Sequence, residues 1–281
     1  MNLRILVIFS GWMPGLSPDR ERWTALYRDI LSDDLRDAAK ILAFTPGTAQ
    51  SFETALSDVP GVLDVIRVPV ECDTKSDAVG YQFGLVRAAP LVCNFDCVIF
   101  LHSKGVSHPY DPFSQVPNAL RRDLLQPSVL AEMHAQNDRA LYAAEAYLAP
   151  TQVAINYGTH LLSLMGHPPA PCIAVTSTIF AIAGSLLADI AADFATAIGE
   201  RPLLDLGFDK WFFEAIFPSL ALAYGGDILV RTPAIIDPSL DANYSYHASP
   251  QHNAGLIRRE VARWRRQGLA YCQPETPYIF P

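Results

Sequence analysis

The segment His102-Ser103-Lys104-Gly105 brings an imidazole, a hydroxyl, an ammonium and an unobstructed stretch of backbone together within four residues. That set suits an oxyanion. The ammonium supplies charge, the hydroxyl donates a hydrogen bond, and the missing side chain of glycine lets a ligand approach the main chain. The residue types predict that Lys104 binds phosphate oxygens with Ser103 and Gly105 beside it. His102 either orients an oxygen or, as a neutral imidazole, ligates a metal. Lysine is scarce in this chain: of 21 basic residues only Lys40, Lys75, Lys104 and Lys210 are lysines, so its use at position 104 is a choice over arginine. The plain alternative is an exposed loop lysine following a strand-end histidine whose hydrogen bonds are met locally.

Position favours the chemical reading. Phe95 to Leu101 is almost wholly apolar, which predicts a strand buried on both faces, with the polar residues at its carboxyl end. In open α/β sheets that edge is where ligands bind. Upstream, Leu3 to Phe9 predicts a first strand, Pro18 to Leu35 a helix, Lys40 to Thr45 a second strand, Ala49 to Leu56 a helix and Val62 to Val70 a third strand. The pattern Val79, Phe83, Val86 predicts a helix over 77–90. This alternation implies a mainly parallel sheet with helices on its faces. The first loop, Ser10-Gly11-Trp12, then faces the same edge, and Trp12 is a candidate to stack on a base or sugar; its alternative is packing against the first helix.

Downstream, helices are expected over 118–125, after Pro127, over 159–165, over 186–198 and over 205–222. Strands are expected over 154–158, 173–183 and 228–236. A basic helix is expected at Ala254 to Arg266, with Leu256, Ile257, Val261 and Trp264 near one side. No internal repeat is visible.

Composition narrows the field. A chain of 281 residues that is 50% hydrophobic and 18% charged has ample material for a core. A net charge of −8 excludes a general nucleic-acid binder, because such proteins rely on a basic face. Five scattered cysteines, Cys72, Cys93, Cys97, Cys172 and Cys272, read as reduced thiols of a cytoplasmic protein. No apolar stretch reaches the roughly 20 residues of a membrane span.

The order of elements over residues 3 to 236, with an apolar strand ending in a polar motif, resembles the nucleotide-binding half of GT-A glycosyltransferases. The segment from Phe100 to Pro109 resembles the His-(Thr/Ser)-Lys-Gly signature of bacterial glycosyltransferase-like proteins of surface polysaccharide biosynthesis. In the GT-A fold that strand usually ends in Asp-x-Asp, whose carboxylates hold a divalent metal on the donor diphosphate; here His102-Ser103-Lys104 stand there. The resemblance implies an α/β, GT-A-like (Rossmann-like) catalytic domain over 1–236, with a nucleotide-sugar-binding half (1–110), an acceptor half (111–236) and a C-terminal extension (237–281). It implies a hexosyltransferase-like enzyme that moves a sugar from a UDP- or GDP-linked donor to a glycan, lipid-linked or protein acceptor.

It further implies donor-site roles for Ser10, Gly11, Trp12, Asp77, His102, Ser103, Lys104 and Gly105, Asp77 touching base or ribose. For Asp77 the competing role is a helix N-cap. Inverting transfer needs a carboxylate to accept the acceptor's proton, and neither inversion nor retention is fixed by the sequence; Asp209 is the first candidate for that base and Glu214 the second. With Asp-x-Asp missing, a Mn or Mg ion has only His102, Asp237 and His247 as candidate ligands. The basic helix is a candidate for peripheral contact with the inner membrane, where a lipid-linked acceptor would lie, or else caps the core with solvated arginines. Two other readings remain: a catalytically silent nucleotide- or sugar-binding protein on the same fold, and another α/β nucleotide-dependent transferase or a hydrolase. Against the latter, no GxGxxG, P-loop or GxSxG occurs in the chain.

Overall fold

The computed structural model describes residues 3–73, 77–103, 106, 110, 124–143, 146–148, 152–175, 179–208, 212–230 and 250–271, and structural statements refer to these. The first half alternates as the residue pattern requires: β1 (Ile5–Gly11), α1 (Arg20–Asp29) running into a π-helical turn at Ile30–Asp34, β2 (Ala39–Phe44), α2 (Gln50–Ser57), β3 (Val62–Arg67), α3 (Asp77–Ala88) and β4 (Cys97–His102). The second half follows with α4 (Pro127–Gln136), β5 (Ala140–Ala143), β6 (Ala146–Leu148), α5 (Gln152–Leu164), β7 (Ile173–Val175), β8 (Phe180–Ala183), α6 (Gly184–Ala197), α7 (Phe212–Ala223), β9 (Asp227–Val230) and α8 (Pro250–Gln267).

Seven strands form one sheet in the order β3-β2-β1-β4-β8-β5-β9, and β6 pairs with β7 in a second, small sheet. Within the large sheet only β8 runs against the others, through antiparallel pairing with β4 and β5. The architecture is therefore α/β and Rossmann-like, a mostly parallel sheet flanked by helices. From β1 the chain first builds outward to β2 and β3 and then returns to place β4 on the other side of β1. That reversal is a topological switch point, where the carboxyl ends of adjacent strands open a crevice.

Alternation along β1 fixes the two faces. Phe9 meets Tyr27 of α1 at 5.8 Å between ring centroids, and Tyr27 in turn meets Phe52 of α2 edge-on at 6.4 Å. Ile8 and Ser10 point the other way, at α3. A Cβ added to Gly84 would lie 2.5 Å from Ile8 Cγ2, and one added to Gly80 would lie 2.1 Å from Ser10 Oγ. Two glycines one helical turn apart thus let α3 lie directly on β1, which brings the first turn of α3 over the end of the strand. On the far side of β4, Phe100 stacks on Phe180 of β8 at 4.7 Å and meets Phe217 of α7 at 5.1 Å. One hydrophobic core runs from Leu6 and Val7 through these rings to Ile257 and Val261 of α8.

Several expectations need correction. Residues 154–158 are not a strand; they belong to α5, which passes Cys172 at Gly158, where even an added Cβ would stand in ordinary contact 3.5 Å from Sγ. The β-prone run 173–183 is two strands in two different sheets. Strands β5 and β6, four and three residues long, are too short to show a period and had no counterpart in the sequence reading. The helix expected over 205–222 is interrupted: a 3-10 turn at Leu203–Leu206 ends on Gly207 at φ 80°, and among the described residues helix resumes over Phe212–Ala223. The helix expected over 118–125 falls largely outside the described residues.

Helix α8 exists, but its apolar side faces inward. Ile257 and Val261 are buried, and Trp264 Nε1 donates to the Pro169 carbonyl at 3.1 Å. Arg263 pairs with Glu260 at 2.5 Å and Arg265 with Asp227 at 3.7 Å. An amphipathic helix docks on a membrane with its apolar side, and here that side is already covered by protein. Among the described residues no helix is long and apolar enough to cross a membrane.

Candidate functional site

Register across the switch point sets Ser10 of β1 opposite His102 of β4. Both side chains are almost wholly buried, and α3 closes the crevice from one face. Ser10 Oγ donates to the carbonyl of Asp77 at 2.9 Å, which ties the first turn of α3 to the end of β1. Gly11 is required by packing, since a Cβ there would lie 2.6 Å from the Phe44 ring.

Beyond the paired residues the chain stays locked. Ser103 N–H donates to the Ser10 carbonyl at 3.1 Å. Ser103 Oγ accepts the Trp12 N–H at 2.7 Å and donates to the Trp12 carbonyl at 2.7 Å. One hydroxyl therefore satisfies both backbone groups of a residue 91 positions away, and the ends of β1 and β4 become a single unit. Trp12 as a residue is 39% exposed.

Asp77 opens α3 beside His102, with Oδ2 3.8 Å from His102 Nδ1. That oxygen is shielded from solvent, and no hydrogen-bond partner reaches it among the described residues. At this distance the two groups do not share a proper hydrogen bond. Tyr81, one turn further along α3, presents its ring edge-on to His102 at 6.1 Å and to Phe100 at 5.4 Å. Burial, reinforced by the Asp77 carboxylate, raises the Tyr81 phenol pKa well above its ordinary value, so the O–H stays protonated. Sequence reasoning missed Tyr81, whose position in the apolar pattern of α3 marks it only as core.

Lys104, Gly105, Asp209, Asp237 and His247 lie outside the described residues. Glu214 falls within α7, and its side chain is likewise outside them. Among the described residues no three His, Cys, Asp or Glu side chains gather into a metal site. His102 and Asp77 alone do not fit a resident divalent cation, which needs more ligands than two. Of the described cysteines, Cys72, Cys97 and Cys172 are buried free thiols and Cys93 is an exposed one; Cys272 lies outside the described residues. A surface groove of about 600 Å³ between α1 and α2 mixes Arg20 and Arg28 with Glu21, Asp29 and Asp33, a balance that selects no ligand charge.

No family model matches the sequence and no curated protein matches it. Among solved structures the chain is similar to mouse xyloside xylosyltransferase 1 in its apo form, at 14% identity over 99% of this chain and 96% of that one, with a TM-score of 0.34. It is similar to glucosyl-3-phosphoglycerate synthase from Mycobacterium tuberculosis, in complex with Mn2+, uridine diphosphate and phosphoglyceric acid, at 13% identity over 95% and 79%, TM-score 0.34. It is also similar to the mannosyltransferase Ktr4p from S. cerevisiae in complex with GDP, at 11% identity over 78% and 66%, TM-score 0.34. Scores of that size carry nothing about activity.

Proposed function

We propose that the protein is a glycosyltransferase that takes a sugar from a UDP- or GDP-linked donor bound in the β1–β4 crevice. The observation that carries this reading is the lock on Ser103, held by the Ser10 carbonyl and by both backbone groups of Trp12 at the switch point. Lys104 is the next residue in the chain. In this reading its ammonium binds the donor diphosphate, Gly105 admits the phosphate to the backbone, and His102 contributes a further ring nitrogen.

The chemistry asked of these groups is limited and specific. As the acceptor oxygen bonds to the sugar's anomeric carbon, the bond from that carbon to the diphosphate oxygen breaks and its electron pair stays on phosphate. Negative charge therefore grows on the leaving group, and a fixed cation there stabilises the transition state more than the ground state. If transfer inverts the anomeric carbon, the acceptor's proton passes to a carboxylate, for which Asp209 is our first choice and Glu214 our second. The acceptor is a glycan, a lipid-linked sugar or a protein. We assign 1–110 to donor binding, 111–236 to the acceptor and 237–281 to an extension.

A thermal-shift panel of UDP- and GDP-sugars, followed by measurement of donor hydrolysis, tests the reading. A donor at about a hundredfold excess over its Kd stabilises by ~2.7 kcal/mol, a rise of several degrees in Tm. Lys104→Ala should weaken binding about 10- to 100-fold, the worth of a charge-assisted hydrogen bond of ~1.5–3 kcal/mol. Equal binding with and without Lys104 defeats the assignment, and binding without any turnover favours the silent-binder alternative.

A further inference from the structure

We propose that Asp64 keeps the open edge of β3 from pairing with a strand of a second copy of this chain, and that Asp227 does the same for β9. Among the described residues these are the two outer strands of the large sheet. An outer strand offers a row of free N–H and C=O groups, which is a template for another chain. Aspartate is a poor strand former. In this sheet β1, β2, β4, β5 and β8 carry no acidic residue, and the two outer strands carry one aspartate each.

Backbone direction shows what each aspartate does. Just past β3, Val68 N–H donates to the Phe44 carbonyl of β2 at 2.9 Å. Amides alternate in direction along a strand, so those of Val65 and Arg67 point away from β2. Asp64 Oδ1 accepts the Val65 N–H at 2.9 Å, and Asp64 Oδ2 accepts from Arg87 Nε of α3. At the other edge Asp227 N–H donates to the Arg139 carbonyl at 3.1 Å, just ahead of β5, so the Ile228 amide faces outward. Asp227 Oδ1 accepts that amide at 3.0 Å and lies 3.7 Å from Arg265 of α8. Opposite ends of the sheet thus use one device: a carboxylate turned back on the next residue's outward amide and faced by a helix arginine.

The device matters most at β3. Val62-Leu63-Asp64-Val65-Ile66 would be an unbroken apolar run but for Asp64, and Leu63 is 55% exposed. An incoming strand has to place a carbonyl oxygen where Oδ1 stands and strip the carboxylate of its water. A bulge adds to the block. Lys40 faces Val62 while Ile41 faces Asp64, which leaves Leu63 as an extra residue and breaks the even spacing of the edge.

Sedimentation velocity on the full chain over about 1–100 µM, paired with amide hydrogen exchange, tests this. In dilute solution Asp64→Ala frees the Val65 amide, which should exchange about tenfold faster than in wild type. At high concentration the same variant should self-associate about tenfold more tightly or better, roughly the worth of one hydrogen bond. The edge itself must carry the contact, so the Val65 and Arg67 amides should slow as concentration rises. Asp64→Asn keeps a side-chain oxygen in place and should stay within about threefold of wild type in both measures. Asp64→Ala/Val65→Pro removes the outward amide altogether and should return to the wild-type mass.

Asp64→Ala with wild-type mass and wild-type Val65 exchange overturns the proposal. So does association that leaves the Val65 and Arg67 amides unprotected, which is what aggregation from the unfolded chain produces, or association that persists in Asp64→Ala/Val65→Pro. If Asp64→Asn associates as strongly as Asp64→Ala, charge rather than capping is at work and the assigned role fails. Should Asp64→Ala not fold, Asp227→Ala poses the same question at β9, where unchanged mass and unchanged Ile228 exchange overturn the proposal.

Discussion

Gly80→Ala should disturb the crevice from a position that touches no ligand. In an ordinary helix this change stabilises by about 0.5–1 kcal/mol, because alanine has less freedom to lose on folding. Here the new Cβ would lie 2.1 Å from Ser10 Oγ, 2.8 Å from Ser10 Cβ and 3.2 Å from Ser10 Cα. Ordinary contact begins near ~3.5 Å, so α3 and β1 must separate locally by more than about 1 Å. Ser10 cannot yield, since it is buried in a strand paired on both sides and its hydroxyl holds the Asp77 carbonyl. Overpacking of this kind costs about 1–3 kcal/mol, which exceeds the propensity gain. The net expectation is destabilisation of ~0.5–2 kcal/mol, measured as a lower urea midpoint at an unchanged m-value. Asp77, at the start of the same helix, moves with it, so nucleotide affinity should fall in parallel. Ser10→Gly opens the space, and the double variant Ser10→Gly/Gly80→Ala should recover at least ~0.5 kcal/mol relative to additivity. A neutral or stabilising Gly80→Ala would refute the close approach of α3 to β1.

Ser103→Ala strips both backbone groups of Trp12 of their partner and should cost ~1–3 kcal/mol by chemical denaturation, with a loss of nucleotide affinity; retention of both measures contradicts the lock. Phe100→Ala removes the ring shared by β4, β8 and α7 and should cost ~3–5 kcal/mol, a loss visible in the thermal midpoint. Lys40 Nζ is buried against the carbonyls of Ala38 at 2.7 Å and Pro60 at 2.8 Å, and burial lowers its pKa from 10.5 to about 8. Because its folded pKa lies below the unfolded one, its contribution to stability rises with pH between about 8 and 10.5. The gain is at most ~3 kcal/mol, reduced by the carbonyls that suit an ammonium. Burial pushes the Cys97 and Cys172 thiols up to about 12, which acts in the opposite sense above pH 9, so the test is the difference between wild type and Lys40→Met across pH 7–10.5. A difference that does not change with pH refutes the assignment.

Local pattern was enough for the first half of the fold. Strands β1 to β4 and helices α1 to α3 show either short apolar runs or helical spacing, so hydrophobic pattern gave their order, and the apolar run before His102 predicted a central strand. Short strands and chain reversals escaped it. Nothing within 173–183 says that its two ends join different sheets, because strand pairing is decided by partners far along the chain. Gly158 and Gly207 look alike in sequence, yet one lies inside a helix with room for a side chain and the other ends a turn in the left-handed region.

The candidate site divides the same way. Residue types together with their place after an apolar strand singled out His102, Ser103 and Lys104 as candidates. Sequence could not bring Asp77 beside His102 or set Ser103 on both backbone groups of Trp12. Those arrangements depend on distances between residues tens of positions apart, which exist only once β4 returns beside β1 and the core closes around them.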